Sequence, residues 1–411
     1  MLNRFLRTTP TRRLLSAIAG VLAVTAAGAT IAVAAAGNGP VPPPSPLAQA
    51  IHGALTAPSV QGISADIQFT NHLIGSTEIQ GSDPLLSGAT GRVWLSNDHQ
   101  LRLELQGSNG DANVVVSNGS WWAYIPSMNT VYEGSLPVRS GARDHARKAH
   151  TAPSVAEIQS DINRVAQHLG LSGAVPSDVA GRPAYTVTLT PKPATGLLSS
   201  VQLAWDAFKG VPLRFAVYAQ GDPSPVLELK ATGITYGAVP SGIFSISPPA
   251  GAKVVKVATP TATAAKSHAK HARLHGRGDR AEVTGTRAVQ THLSFQLSAP
   301  ATLAGMQRNN VRLLEFGHKP GALVTYGQGL GGIAVIEQPA TAASSKQLNL
   351  SQGGGEHAHG IMLPTVAVNG TTAQELDTAL GTVVRFTRSG VTYTVLGSVK
   401  PAVADSAARG L

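Results

Sequence analysis

The chain has 411 residues, of which 43% are apolar and only 13% charged, with 44 Gly and 27 Pro. These proportions exclude a charge-rich disordered protein, and a single long apolar run excludes a multi-span membrane protein. The absence of cysteine excludes disulfides, thiolate metal sites, a cysteine nucleophile and a lipidated N-terminal cysteine, and the net charge of +10 is confined to two segments: +4 in residues 1–36 and +6 in 253–280, against −2 in 37–252 and +2 in 281–411.

In chain order, Arg4, Arg7, Arg12 and Arg13 precede an uncharged run from Leu14 to Ala36. A basic cluster before an apolar run is an export signal, with small residues at Ala34-Ala35-Ala36 for cleavage; uncleaved, the same run is long enough for a membrane anchor. Either way the positive-inside rule puts everything after residue 36 outside the cytoplasmic membrane. Residues 37–45 form a Pro-rich spacer, and Ser45-Pro46 opens a short helix carrying Leu47, Ile51 and Leu55.

The pattern then shifts to period two. Leu101, Leu103 and Leu105 alternate with Arg102 and Glu104; Tyr185, Val187 and Leu189 alternate with threonines. Val201, Leu203 and Trp205 follow, then Leu213, Phe215 and Val217, then Leu227 and Leu229. Strict alternation predicts antiparallel strands with one apolar and one wet face. Between them Ser154 and Glu157 form a capping box for a helix with the stripe Val155, Ile158, Ile162, Val165 and Leu169, ended by Gly170. Residues 46–252 therefore predict a curved antiparallel sheet with helices on one face.

Residues 253–280 collapse to Ala, Thr, Lys, His and Arg and predict a basic linker. In residues 281–400 alternation returns at Leu293/Phe295/Leu297, Leu323 to Tyr326 and Ile333 to Glu337, with a Gly-rich loop at Gln352 to Gly360. Thr371 and Gln374 predict the cap of a short helix carrying Leu376 and Leu380, closed by Gly381. Val383 to Thr387 and Val391 to Leu396 predict a hairpin around Arg388-Ser389-Gly390. The second body is a smaller α+β domain, and 401–411 is a tail.

Three stretches of the first body carry a family likeness. Gly91-Arg92-Val93-Trp94-Leu95 runs through Leu101 to Leu105 into Asn118-Gly119-Ser120-Trp121-Trp122-Ala123-Tyr124; Gly181-Arg182-Pro183-Ala184-Tyr185 leads to a strand ending at Trp205; Gly210-Val211-Pro212-Leu213-Arg214 leads to Phe244. This order resembles the LolA/LolB lipoprotein-carrier superfamily, with its RseB/MucB-type sigma-factor regulators and lipid-binding lipoprotein relatives of high-GC Gram-positive bacteria. Residues 281–400 resemble the small C-terminal domain of exported anti-sigma-factor-like proteins. The resemblance implies a mainly β, α+β fold: an unclosed antiparallel half-barrel with lid helices over an apolar cavity for acyl chains. It implies a pocket walled by Leu101, Leu103, Leu105, Tyr185, Val187, Leu189, Val201, Leu203, Leu213, Phe215 and Val217. A tight lid would make these plain core; a raised one makes them a wall.

Other constellations point elsewhere and are weaker. Gly327, Gly329 and Gly332 match G-x-G-x-x-G, but the strand-like Ile333-Ala334-Val335-Ile336 follows where a dinucleotide site needs a helix. His268, His271 and His275 sit among Lys266, Lys270 and Arg273, which oppose a cation; Glu356, His357 and His359 share a Gly loop; Arg277-Gly278-Asp279 is a chance tripeptide. The linker and the Arg139–His150 stretch are basic enough to meet anionic head groups. No nucleophile elbow, H-E-x-x-H or P-loop occurs, so no catalytic residue, metal or cofactor is nominated. The expectation is a non-enzymatic, extracytoplasmic bacterial protein that binds lipid or lipoprotein acyl chains at a membrane surface and does not bind nucleic acid. The alternative is an RseB-like envelope-stress sensor whose partner is a membrane regulatory protein such as an anti-sigma factor.

Overall fold

The computed structural model describes residues 39–75, 84–107, 110–136, 152–257, 283–316, 319–341 and 363–411. The leader at 1–36, the Arg139–His150 stretch, the three histidines of the linker, Arg277-Gly278-Asp279 and the Gln352–Gly360 loop lie outside these residues. Among the described residues no helix is long and apolar enough to cross a membrane.

The first body is one thirteen-stranded sheet. Its first half holds β1 (Gly62–Asn71), β2 (Ala89–Ser96), β3 (Leu101–Leu105), β4 (Ala112–Ser117), β5 (Ser120–Ile125) and β6 (Thr130–Ser135). Its second half holds β7 (Leu169–Leu171), β8 (Val175–Val179), β9 (Arg182–Pro191), β10 (Leu198–Asp206), β11 (Pro212–Ala219), β12 (Pro225–Tyr236) and β13 (Lys253–Lys256). The order β13-β6-β5-β4-β3-β2-β1-β12-β11-β10-β9-β7, with β8 beside β9, is that of an open, curled half-barrel. Only β13 pairs in parallel, with β6. Lys253–Lys256 thus closes an edge of the first sheet, where composition alone assigned it to the linker.

Turn chemistry sets the hairpins. Asn118 (φ 51°) and Gly119 (φ 75°) join β4 to β5 as two successive left-handed residues, the turn whose twist matches that of the strands. Helix α1 (Leu47–Thr56) and helix α3 (Val155–Ala166) lie on one sheet face, while the single turn α2 (Pro84–Ser87) sits against β1. The Ser154–Glu157 capping box forms as expected, and both backbone N–H groups find their side-chain oxygens. The helix ends at Ala166, however, and Leu169 and Gly170 belong to β7.

The second body is an eight-stranded sheet. It comprises β14 (Thr302–Leu303), β15 (Met306–Phe316), β16 (Lys319–Tyr326), β17 (Ile333–Pro339), β18 (Thr365–Val368), β19 (Thr371–Thr378), β20 (Gly381–Arg388) and β21 (Val391–Gly397). The spatial order is β14-β15-β16-β17-β21-β20-β19-β18. Helices α4 (Thr286–Gln290) and α5 (Pro401–Arg409) pack on its core. Three expectations are corrected here. Thr371 to Leu380 is strand and turn: the left-handed pair Asn369-Gly370 launches a hairpin, and pairing with β18 and β20 outweighs a weak capping signal. Leu293, Phe295 and Leu297 alternate but form no ladder, packing instead as a loop on the core. Within 401–411, Pro401–Arg409 is a docked helix, because Ala404, Ala407 and Ala408 form a small-residue face buried on β20 and β21.

Candidate functional site: an apolar trough on the half-barrel

Strand register sorts the apolar residues into rungs across one face. One rung runs Leu189–Val201–Val217–Leu227, and the next runs Val187–Leu203–Phe215–Leu229–Phe69. A third holds Tyr185 and Trp205, with Ile67, Ala231, Leu105 and Ala112 farther across the sheet. Beyond lie Ala65–Val93–Leu103–Val114 and Ile63–Leu95–Leu101–Val116. Leu213 falls in a bulge where Trp205 meets Pro212, and it is buried with Ala184 and Ala204, which alternate away from Tyr185 and Trp205. Ten of the eleven residues nominated from sequence stand on the face that carries the helices, and Leu213 is turned from it by the bulge.

Their environments differ. Leu47, Ala48, Ala50 and Ile51 of α1, with Ile158 and Ile162 of α3, bury Tyr185, Val187 and Trp205 and partly cover Leu189 and Leu203. The Tyr185 and Trp205 rings are 6.1 Å apart, and the Tyr185 hydroxyl donates to the Pro43 carbonyl at 2.7 Å, pinning the spacer over β9. Here lid and sheet meet as packed core. Leu105 is buried with Ala65, Ile67 and Ala112, and Leu103 packs against that cluster. Leu213 is buried with Val179, Ala184, Ala204 and Ala231. In the middle of the sheet, by contrast, the paired Phe215 and Leu229 are 41% and 44% exposed. Among the described residues the helices stop short of them, which leaves an open apolar trough over β11, β12 and β1.

The sheet beneath is braced on its opposite face. Arg214 donates to Glu228 at 2.6 Å, Gln202 at 2.6 Å and the Tyr218 hydroxyl at 2.7 Å, so its charge is fully partnered. Burial works against that guanidinium, and its bonds to Tyr218 and Glu228 hold its pKa above the usual arginine value. At the turn after β10, Asp206 is fully buried and accepts from Tyr236 at 2.7 Å, Arg182 at 3.2 Å and the backbone N–H groups of Phe208 and Lys209. Burial alone would raise its pKa, but these hydrogen bonds outweigh it and hold the carboxyl below the ordinary aspartate range. The same turn ends at Gly210 (φ 65°), where a Cβ would fall 2.2 Å from the Ala54 carbonyl; glycine lets α1 close on the sheet.

The far end of the trough meets the second body. Ala379 and Leu380, in the turn between β19 and β20, pack on the cluster Val217, Ala219 and Val226, to which Val201, Leu227 and Leu73 also belong. The Ala379 N–H donates to the Leu73 carbonyl at 2.8 Å. The Ser398 hydroxyl accepts from Leu197 N–H at 2.9 Å and donates to the Leu380 carbonyl at 2.7 Å, joining the β9–β10 loop to this turn. The G-x-G-x-x-G stretch is part of the seam: strand β17 follows it, and added Cβ atoms at Gly329 and Gly331 would lie 3.0 and 2.9 Å from Thr195.

Leu229, Leu227, Phe69 and Leu380 belong to the trough and were not nominated. The alternation of Leu227 and Leu229 was visible, but their pairing with Val217 and Phe215 depends on the sheet order. Among the described residues no three His, Asp or Glu converge as a metal set. A separate cavity of about 300 Å3 in the second body is lined by Asn309, Asn310, Arg312, Leu323 and Thr325.

No protein-family model matches the chain, and no curated protein matches it. Among solved structures it is similar to MucB in complex with MucA(peri), at 16% identity and a TM-score of 0.36, over 87% of this chain and 93% of that one. It is similar to the MucA/MucB complex of Pseudomonas aeruginosa at 16% identity and a TM-score of 0.37, over 88% and 96%. A putative outer membrane lipoprotein-sorting protein domain from Vibrio parahaemolyticus shares 9% identity with a TM-score of 0.20, over 48% and 94%.

Proposed function

We propose that this chain is an extracytoplasmic, non-enzymatic protein that holds acyl chains of a lipid or lipoprotein in the trough. The observation that carries the reading is the exposed Phe215–Leu229 pair in the middle of an apolar face whose other rungs are buried or half-buried. A sheet serving only as core would cover its central rung, and adjacent exposed apolar side chains there support a binding reading. An acyl chain laid there gains about 0.8 kcal/mol per buried methylene without needing directional contacts. The full-length protein purified from its own host and examined by native mass spectrometry should carry a discrete added mass that extracts as lipid. A clean apo mass, with no change in tryptophan fluorescence on adding phosphatidylglycerol vesicles, would sink the reading.

The seam between the bodies favours regulation as a second reading, because an event in the trough is in direct contact with the second body through Leu380. Such a protein would engage a membrane regulatory protein such as an anti-sigma factor. Crosslinking in the host should then capture a single-span partner, and its failure to do so counts against this role.

A further inference from the structure

We propose that the β19–β20 turn of the second body is the end wall of the trough, and that Leu380 sets the length of acyl chain it accepts. This rests on the acyl-chain reading above. The exposed pair Phe215–Leu229 and the covered pair Val217–Leu227 are successive rungs on the same two strands, about 7 Å apart. A chain lying along β11 and β12 from the open rung therefore runs directly into the cluster on which Ala379 and Leu380 pack.

The turn is held where a wall must be held. Its backbone is tied to the first body by the Ala379 N–H on the Leu73 carbonyl. Ser398 fixes the Leu380 carbonyl and the β9–β10 loop at once. Gly381 follows with no room for a side chain, since a Cβ there would meet the Gly397 carbonyl at 2.4 Å. The Leu380 side chain is thus carried on a braced backbone while remaining only partly buried. It occupies the place that the next few methylenes of a longer chain would take.

The test is displacement of cis-parinaric acid from the full chain by saturated fatty acids of increasing length. In the wild type, affinity should rise about fourfold per methylene while each added group finds apolar surface, then level off at the wall. Leu380→Ala should move the plateau to longer chains, and Leu380→Phe should move it to shorter ones. Loss of folding shifts both variants the same way, so opposite shifts can arise only from the wall. Identical plateaus in all three proteins, or shifts in one direction, would overturn the wall and leave the trough standing. If cis-parinaric acid fails to bind the wild type, the acyl-chain reading falls and the wall falls with it.

Discussion

Phe215 is the residue on which the trough can be tested with least damage to the fold. It faces the same side as buried Val187 and Val217 but is itself exposed, so a charge there meets water in the empty protein and apolar chain in the loaded one. Phe215→Asp should lower fatty-acid affinity on the order of a hundredfold and cost about 1 kcal/mol of stability. Fluorescence displacement and thermal melts on the same preparation check both. Leu103 is the poorer probe, because it packs against buried Leu105 and Ala65 and its replacement by Asp would disturb the sheet.

A second residue acts through pH. Glu337 is fully buried in the second body, on the inward rung of β17 with Ile333 and Val335. Burial raises its pKa to about 7, opposed only by the Ser298 N–H that donates to it at 2.9 Å. Between the ordinary glutamate value and about 7 the folded chain holds a proton that the unfolded chain has lost, so stability falls as pH rises through that window. Glu337→Gln should therefore gain about 3 kcal/mol at pH ~8 and lose that advantage below pH ~4.5. Denaturant melts of both proteins at the two pH values decide it. Alternation already placed position 337 inward; that a carboxyl there would be buried with one hydrogen bond was invisible without its neighbours.

At the scale of elements, helix α3 was legible because its determinants are local. Ser154 and Glu157 are three residues apart, and Ile158 and Ile162 recur at helical spacing, so cap and stripe were readable together. Ser154→Ala should cost about 1 kcal/mol and lower the melting temperature by a few degrees. Differential scanning calorimetry would show it. Residues 371–380 went the other way. Thr371 and Gln374 carry the same kind of capping pattern, yet the hairpin launched by Asn369-Gly370 pairs with β18 and β20 and recruits them as β19. A local signal worth about 1 kcal/mol yields to a ladder formed on both edges of the segment. Leu293, Phe295 and Leu297 err in the opposite sense, since alternation supplies a face but no strand partner.

The whole molecule depends on a seam built from small residues. Thr195 lies over Gly329 and Gly331, Gly196 (φ 93°) lies over Ser398, and Leu380 closes on the first sheet. Gly331→Val should separate the bodies without unfolding either, at a cost of about 1–3 kcal/mol to their docking. Small-angle scattering should report a larger radius of gyration with unchanged circular dichroism; an unchanged radius would show that the seam tolerates the side chain.

What the sequence determined by itself is what short-range chemistry controls. Alternation sorted ten of the eleven nominated residues onto one face, the Arg388-Ser389-Gly390 turn marked a hairpin, and the capping box marked the start of α3. What only the tertiary structure decided is how far the helices extend over that face. Tyr185 and Val187 read the same as Phe215 along the chain, and they differ because α1 and α3 pack across β9 and β10 and end before β11. Whether an apolar rung becomes core or open trough is fixed by contacts between separate elements, those of α1 with β9 and β10 spanning more than a hundred positions, and by a turn of the second body seated on the first, neither of which leaves a periodic trace in either segment alone.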